Sequence, residues 1–158
     1  MMKIIASVVT AALLATTLYF QTMWDAAQAE TLQVWKSPTC GCCAGWVDHM
    51  KAAGFNVQVH ETEDMSPVKS TNGVSQELMS CHTATIGGYV IEGHVPASDV
   101  TRLLQTKPQI KGIAVPGMPL GSPGMEVPSG EKDAYDVLAF DDQGKTEIFT
   151  SHNKETGQ

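Results

Sequence analysis

TLQVWKSPTCGCCAGWVDHM, residues 31–50, carries a strand signal, a turn signal and a helix signal in succession. Leu32, Val34 and Trp35 make a short apolar segment, so Thr31 to Lys36 reads as a strand. Ser37-Pro38-Thr39 turns the chain. Cys40, Cys42 and Cys43 follow, three thiols in four residues. From Cys43 the apolar spacing becomes helical, through Trp46 and Val47 to Met50. Gly54 stops this helix. Phe55, Val57 and Val59 then alternate, and residues 55–60 read as a second strand.

Beyond this point Ser66 to Asn72 and Ser75 to Ser80 read as short helical turns. Residues 81–86 read as a strand, Gly87-Gly88 as a tight turn and Tyr89 to His94 as the return strand. Pro96 opens a last helix, with Ala97, Val100, Leu103 and Leu104 on one face. Residues 111–130 are so rich in Gly and Pro that no regular structure is expected there. Tyr135 to Phe140, the Asp141-Asp142-Gln143-Gly144 turn and Thr146 to Phe149 read as a hairpin, and the polar tail 151–158 as loose. This βα, then ββα, order predicts an α/β (α+β) domain of thioredoxin-like layout, with a Gly/Pro/Met-rich loop and a C-terminal β-hairpin added. In such a layout the segment before the third strand abuts the Cys-x-x-Cys loop. Cys81 thereby meets the other sulfurs.

Residues 1–29 read as a secretory signal. Lys3 is the only charge before Asp25, residues 4–20 are apolar, and Ala27-Gln28-Ala29 is a small-x-small site. Cleavage before Glu30 leaves residues 30–158, with one domain over 30–150, in the periplasm. An uncleaved signal is the one route to a membrane. The net charge is −7, with no basic stripe to neutralise phosphates, which argues against nucleic-acid binding.

Export into an oxidising compartment ordinarily means that four cysteines are two structural disulfides. Here adjacent Cys42 and Cys43 pair poorly, and Cys40 to Cys42 closes a very tight ring. The comfortable bridges are Cys40 to Cys43 and one from Cys42 to Cys81. Thiols at a strand-to-helix junction sit among unpaired backbone N–H groups, which favour the thiolate. The thiolate is both the nucleophile and the metal ligand. Cys40, Cys42, Cys43 and Cys81 therefore read as a soft-metal site. Zinc ribbons use two Cys-x-x-Cys pairs and this chain has one, so Cu(I) in a multinuclear thiolate cluster is favoured over zinc. Iron–sulfur is allowed by count but suits the export signal poorly.

His82 follows Cys81 and is a candidate ligand where the chain bends at the strand entrance. Met118 and Met125 each follow a glycine in the loop, and their thioethers suit Cu(I). Met50 and Met79 read as core. His49 is two turns from Cys42, about 10 Å along a helix, and reads as a surface residue. His60 reads as solvated beside Glu61, Glu63 and Asp64. His94, beside Pro96, is a further candidate for metal.

Several runs together resemble the CopG-type periplasmic copper-resistance proteins. These are Lys-Ser-Pro-Thr-Cys-Gly-Cys-Cys at 36–43, Cys81-His82-Thr83, the Gly-Gly-Tyr-x-x-Glu-Gly-His-Val-Pro run at 87–96 and Gly-x-Ala-Val-Pro-Gly-Met-Pro at 112–119. The resemblance covers nearly all of residues 30–158. It implies a thioredoxin-like domain and a multinuclear copper cluster on Cys40, Cys42, Cys43 and Cys81. It implies a methionine loop at Met118 and Met125. It also implies a role in copper resistance beside efflux pumps and multicopper oxidases.

The expected function is periplasmic copper binding, with Cys40 and Cys43 as redox candidates: their oxidation ejects copper and their reduction restores the site. One rival is a thiol–disulfide oxidoreductase that uses Cys40 and Cys43 without metal. A disulfide-stapled binding module is the other.

Overall fold

In the computed structural model, which describes residues 30–154, one seven-stranded mixed sheet is flanked by three α-helices. The elements are β1 (Leu32–Lys36), α1 (Gly41–Ala52), β2 (Val57–Glu61), α2 (Ser66–Thr71), a 3-10 turn (Gln76–Leu78), β3 (Thr83–Ile86), β4 (Tyr89–Glu92), α3 (Ala97–Thr106), β5 (Gly112–Ala114), β6 (Tyr135–Phe140) and β7 (Thr146–His152). The strand order is β2-β1-β3-β4-β5-β6-β7. β1 runs parallel to β2 and antiparallel to β3, and β4 runs parallel to β5. This is the α+β class that the apolar periods predict. The expected signal (1–29) and the last residues of the expected tail lie outside the described residues. Among the described residues no helix is long and apolar enough to cross a membrane.

The alternation of β1 sends Leu32 and Val34 into the core. α1 answers with Cys43, Trp46, Val47 and Met50, the helical spacing read from the sequence. Ile91 of β4, Val100 and Leu103 of α3, Ile113 of β5 and Val137 of β6 join Leu32, Val34, Trp46, Val47 and Met50 in one apolar cluster. α1 ends where expected. Gly54 takes φ +92°, its N–H reaches Lys51 O, and Phe55 N–H reaches Met50 O, which satisfies the last carbonyls of the helix.

Two segments differ from their sequence reading. Within 111–130, Gly112–Ala114 forms β5, between β4 and β6. A Cβ on Gly112 would come within 2.1 Å of Val90 O, so the glycine that argues against a strand is what lets β5 approach β4. The tail is also more ordered than expected. β7 continues through Ser151 and His152, which pair with Asp136 and Tyr135. Asp99 of α3 anchors this end by accepting from Thr150 Oγ1 (2.8 Å) and His152 Nε2 (2.6 Å). Element ends shift by a residue or two as well. Cys81 and His82 precede β3 rather than opening it, and β4 stops at Glu92.

β3 and β4 also meet at a buried charge. Glu92 is fully buried, and its Oε1 accepts from Lys69 Nζ at 2.5 Å and from Ser80 N–H at 2.7 Å. Its Oε2 accepts from Thr83 Oγ1 at 2.7 Å. Lys69, only 6 % exposed, also donates to Thr83 Oγ1. Burial pushes the Glu92 carboxyl above its ordinary range, against the opposing pull of Lys69. Lys69→Met strands the carboxylate, and we expect a loss of about 3–5 kcal/mol in urea unfolding. Adding Glu92→Gln should recover part of that loss. An unchanged unfolding midpoint in the single variant would show that the carboxylate needs no cation.

Candidate metal centre

Three backbone features carry the site. The first is the N-terminus of α1. The Ser37–Thr39 turn closes with Cys40 N–H on Ser37 O (3.1 Å), and Cys40 becomes the N-cap, its Sγ accepting from Cys43 N–H at 3.3 Å. Cys40 and Cys43 form a disulfide across this first turn, with Cα atoms 5.3 Å apart. Cys42 and Cys81 are free thiols. Cys42 Sγ lies 3.5 Å from Cys40 Sγ and 4.0 Å from Cys81 Sγ. The second conceivable bridge, Cys42 to Cys81, is therefore not formed, although the two sulfurs face each other. All four Sγ atoms lie within 4.8 Å of one another.

The second feature is the entrance to β3. Glu92 holds Ser80 N–H, which fixes the residue just before Cys81. The chain bends here, so the side chains of Cys81 and His82 turn toward each other, with Sγ to Nδ1 at 3.3 Å. His82 is fully buried, and its ring lies 4.4 Å from that of Trp46. His82 Nε2 is buried with no hydrogen-bond partner among the described residues.

The third feature is the exit of β4. His94 is fully buried, and its Nε2 lies 3.0 Å from Cys81 Sγ. Its Nδ1–H donates to Pro123 O at 2.8 Å. The carbonyl comes from the Gly/Pro/Met loop, which packs directly on α1. A Cβ on Gly124 (φ +85°) would meet Cys42 O at 2.5 Å and Trp46 N at 2.7 Å, so only glycine allows this approach. Trp46 ties the parts together by donating from Nε1 to Val95 O at 2.8 Å.

The electrostatics favour neutral groups. Burial, reinforced by neighbouring Cys42, pushes the Cys81 thiol up to about 12. Burial also holds His82 well below the usual imidazole range, with His94 and Lys69 adding to the effect. His94 is lowered too, again mainly by burial. Neutral imidazoles keep a lone pair free for a cation.

The four cysteines singled out in the sequence thus converge, and His82 joins them through Cys81. The fold places His94 there as well, the residue that the sequence offered as a further candidate for metal. Its signal was present in the hairpin register. Thr83 pairs with Glu92 and Ile86 with Tyr89, and counting outward from the Gly87-Gly88 turn sets Cys81 opposite His94. Met118 stands 53 % exposed on the loop, and Met125 is half-buried beside Gly124. Met79, read as core, is an exposed hydrophobic residue instead, on the segment between the 3-10 turn and β3, where its backbone O accepts from Gly117 N–H. His49 is a structural residue, its Nε2 accepting from Ala97 N–H at the start of α3. His60 stacks on Trp35 and bonds Gln33, away from the sulfurs.

The family described as "Protein of unknown function, DUF411" matches residues 78–125, the span that holds Cys81, His82, His94 and the methionine loop. Two solved structures, described as "Copper resistance protein copG", Form 1 and Form 2, are each 42% identical to this chain with a TM-score of 0.73. Each match covers 78% of this chain and 98% of the solved one. No curated protein matches.

In the metal-free protein the Cys81 thiol should be a poor nucleophile, because its neutral form is favoured. Iodoacetamide at slightly alkaline pH should modify it more than about 100-fold more slowly than an ordinary cysteine. The rate should climb about tenfold per pH unit as the thiolate fraction grows. Peptide mapping by mass spectrometry checks this; an ordinary, pH-insensitive rate would mean that the thiol is already ionised.

Proposed function

This chain belongs to the CopG-type copper-resistance family, and on that premise we propose that it is an extracytoplasmic copper-binding protein whose thiolates hold Cu(I). The observation that carries this reading is the convergence of four sulfurs from two separate segments within 4.8 Å. Bridging thiolates let several Cu(I) ions share few cysteines, and soft sulfur selects Cu(I) over harder cations. Cys40, Cys42 and Cys43 present their sulfurs at the N-terminus of α1, where the helix favours anionic sulfur. Cys81 closes the cluster from the β3 side. Met118 and Met125 are candidate thioether ligands as copper enters or leaves. The order βα then ββα, with parallel β1 and β2 and antiparallel β3, supports a thioredoxin-like reading of this half.

The Cys40–Cys43 disulfide makes copper capacity redox-dependent. A donor dithiol attacks one sulfur, passes through a mixed disulfide and leaves oxidised itself. Two electrons and two protons thereby reach Cys40 and Cys43. Both thiols, once deprotonated, then bind copper. Re-oxidation by an acceptor disulfide reverses the balance and ejects the ions that those sulfurs held. The same disulfide favours a second reading, a metal-free thiol–disulfide oxidoreductase. That reading leaves the convergence of Cys42 and Cys81 without a use.

Export with cleavage before Glu30 and work beside copper-efflux or copper-oxidase proteins complete the proposal. The family resemblance and the sequence of residues 1–29 are what support them.

The test is anaerobic loading of fully reduced protein with Cu(I), followed by metal analysis and thiol titration. We expect several coppers per chain with all four thiols protected, and fewer coppers once Cys40 and Cys43 are re-oxidised. Cys40→Ser and Cys81→Ser should each lower the stoichiometry. Undiminished copper in both variants overturns the cluster. Little copper together with rapid reduction of insulin favours the oxidoreductase.

A further inference from the structure

The first turn of α3 is held by two histidines that make opposite demands on a proton. His49 reaches it from α1. Its Nε2 accepts from Ala97 N–H at 3.2 Å, at the first residue of the helix. A neutral His49 therefore carries its proton on Nδ1, and a second proton, on Nε2, removes the acceptor. His152 reaches the same turn from β7. Its Nε2 lies 2.6 Å from Asp99 Oδ2. A carboxylate only accepts, so this nitrogen carries the proton. Protonation of Nδ1 then turns the bond into an ion pair.

The surroundings support these two roles. Asp99 is 4 % exposed, and its Oδ1 accepts from Thr150 Oγ1 as well. Arg102 of α3 stands 3.9 Å from Asp99 Oδ1 and donates to Phe149 O and Thr150 Oγ1. Tyr135 of β6 stacks on the His152 ring, 5.1 Å between centroids. Burial, with Asp99 and Glu126 adding to it, pushes the Tyr135 phenol up to about 12, so this neighbour stays neutral. Asp136 of β6 is engaged by Ser151 and Lys154. On the two elements that meet at His49, the neighbouring charged residues are Asp48 and Lys51 of α1 and Asp99 of α3. The N-terminus of α3 carries partial positive charge, which suits Asp99 and repels a charged His49.

Residues 95–97 lead from His94 into this turn, and α1 holds them at two points. Trp46 Nε1 donates to Val95 O at 2.8 Å, and His49, one turn further along α1, accepts from Ala97. Only the second hold depends on a proton.

We propose that His49 and His152 form a proton-driven switch on the first turn of α3, in which neutral His49 ties that turn to α1 and charged His152 ties it to β7. Imidazoles change charge between about pH 5 and pH 8. The His49 bond belongs to the neutral ring, so it is present at high pH and lost as pH falls. The His152 ion pair belongs to the charged ring, so it is present at low pH and lost as pH rises. The switch goes beyond the copper reading and uses none of its sulfurs.

The test is amide hydrogen exchange followed by NMR on metal-free protein in its disulfide form, with protection referred to the core amide of Ile91. From about pH 8 to about pH 5, Ala97 should lose at least about threefold in protection, the worth of one hydrogen bond. The amides of Ser151 and His152 should gain about twofold or more. His49→Gln keeps an acceptor that does not titrate, so Ala97 should then hold its protection while β7 keeps its gain. His152→Gln should do the reverse. Circular dichroism checks that each variant is folded. Nitrogen-15 shifts of the wild-type rings give an arm without substitution: near pH 8, His49 should carry its proton on Nδ1 and His152 on Nε2. Flat Ala97 protection in wild type, a loss that persists in folded His49→Gln, β7 protection that does not rise in acid, or the opposite tautomer in either ring overturns the switch. Copper enters no arm, so failure here leaves the cluster standing, and loss of the cluster leaves the switch standing.

Discussion

The carboxylate of Glu92 is the point on which the site depends. It is fully buried and gathers three different segments: Lys69 from α2, Thr83 from β3 and Ser80 from the chain before Cys81. A buried charge with its bonds satisfied is held in place, because moving any partner exposes an uncompensated charge. Glu92 sits two residues before His94, and Ser80 one residue before Cys81. The knot therefore fixes both ends of the hairpin where the sulfur and the imidazole face each other. The ordered residue before Cys81 lets a segment outside any strand present a thiol with defined geometry.

The opposite wall is set by close approach of backbones. Gly124 touches α1 where a side chain would collide with Cys42 O, and this brings Pro123 O to His94. Trp46 then fills the space between, its ring against His82 and its N–H on Val95. One helix thus supplies the sulfurs with its first turn and the floor of the histidine pocket with its next. Loops hold ligands loosely unless they are tied down. Here the ties are a disulfide, a glycine contact and a buried carboxylate.

Most of this arrangement was legible in the sequence because the apolar periods are strong. β1, α1 and the hairpin of β3 and β4 follow directly from alternation, helical spacing and the Gly87-Gly88 turn. The convergence of Cys81 with the other cysteines followed from element order. β5 was not legible. Of its three residues, Gly112 and Ala114 disfavour strands and Ile113 alone favours one, and they pair because β4 and β6 offer edges on both sides. The end of β7 depends likewise on Asp99, a residue about fifty positions away. For His94 the sequence offered a candidate without a partner, and the pairing sum across the turn is what supplies Cys81 as that partner.

Cys81 is where the sulfur and imidazole groups of the site meet. With Cys40 and Cys43 joined, Cys81 Sγ has the free thiol of Cys42 at 4.0 Å, and His82 and His94 nearer at 3.3 and 3.0 Å. Reduction of the bridge would add two thiols to the softer side of this set, and softness is what selects among cations. Burial opposes ionisation of Cys81 in the empty site, and a thiol in that state loses its proton most readily to a cation that takes its place. The bridge in the first turn of α1 and the burial at the β3 entrance therefore act on the same sulfur from opposite sides.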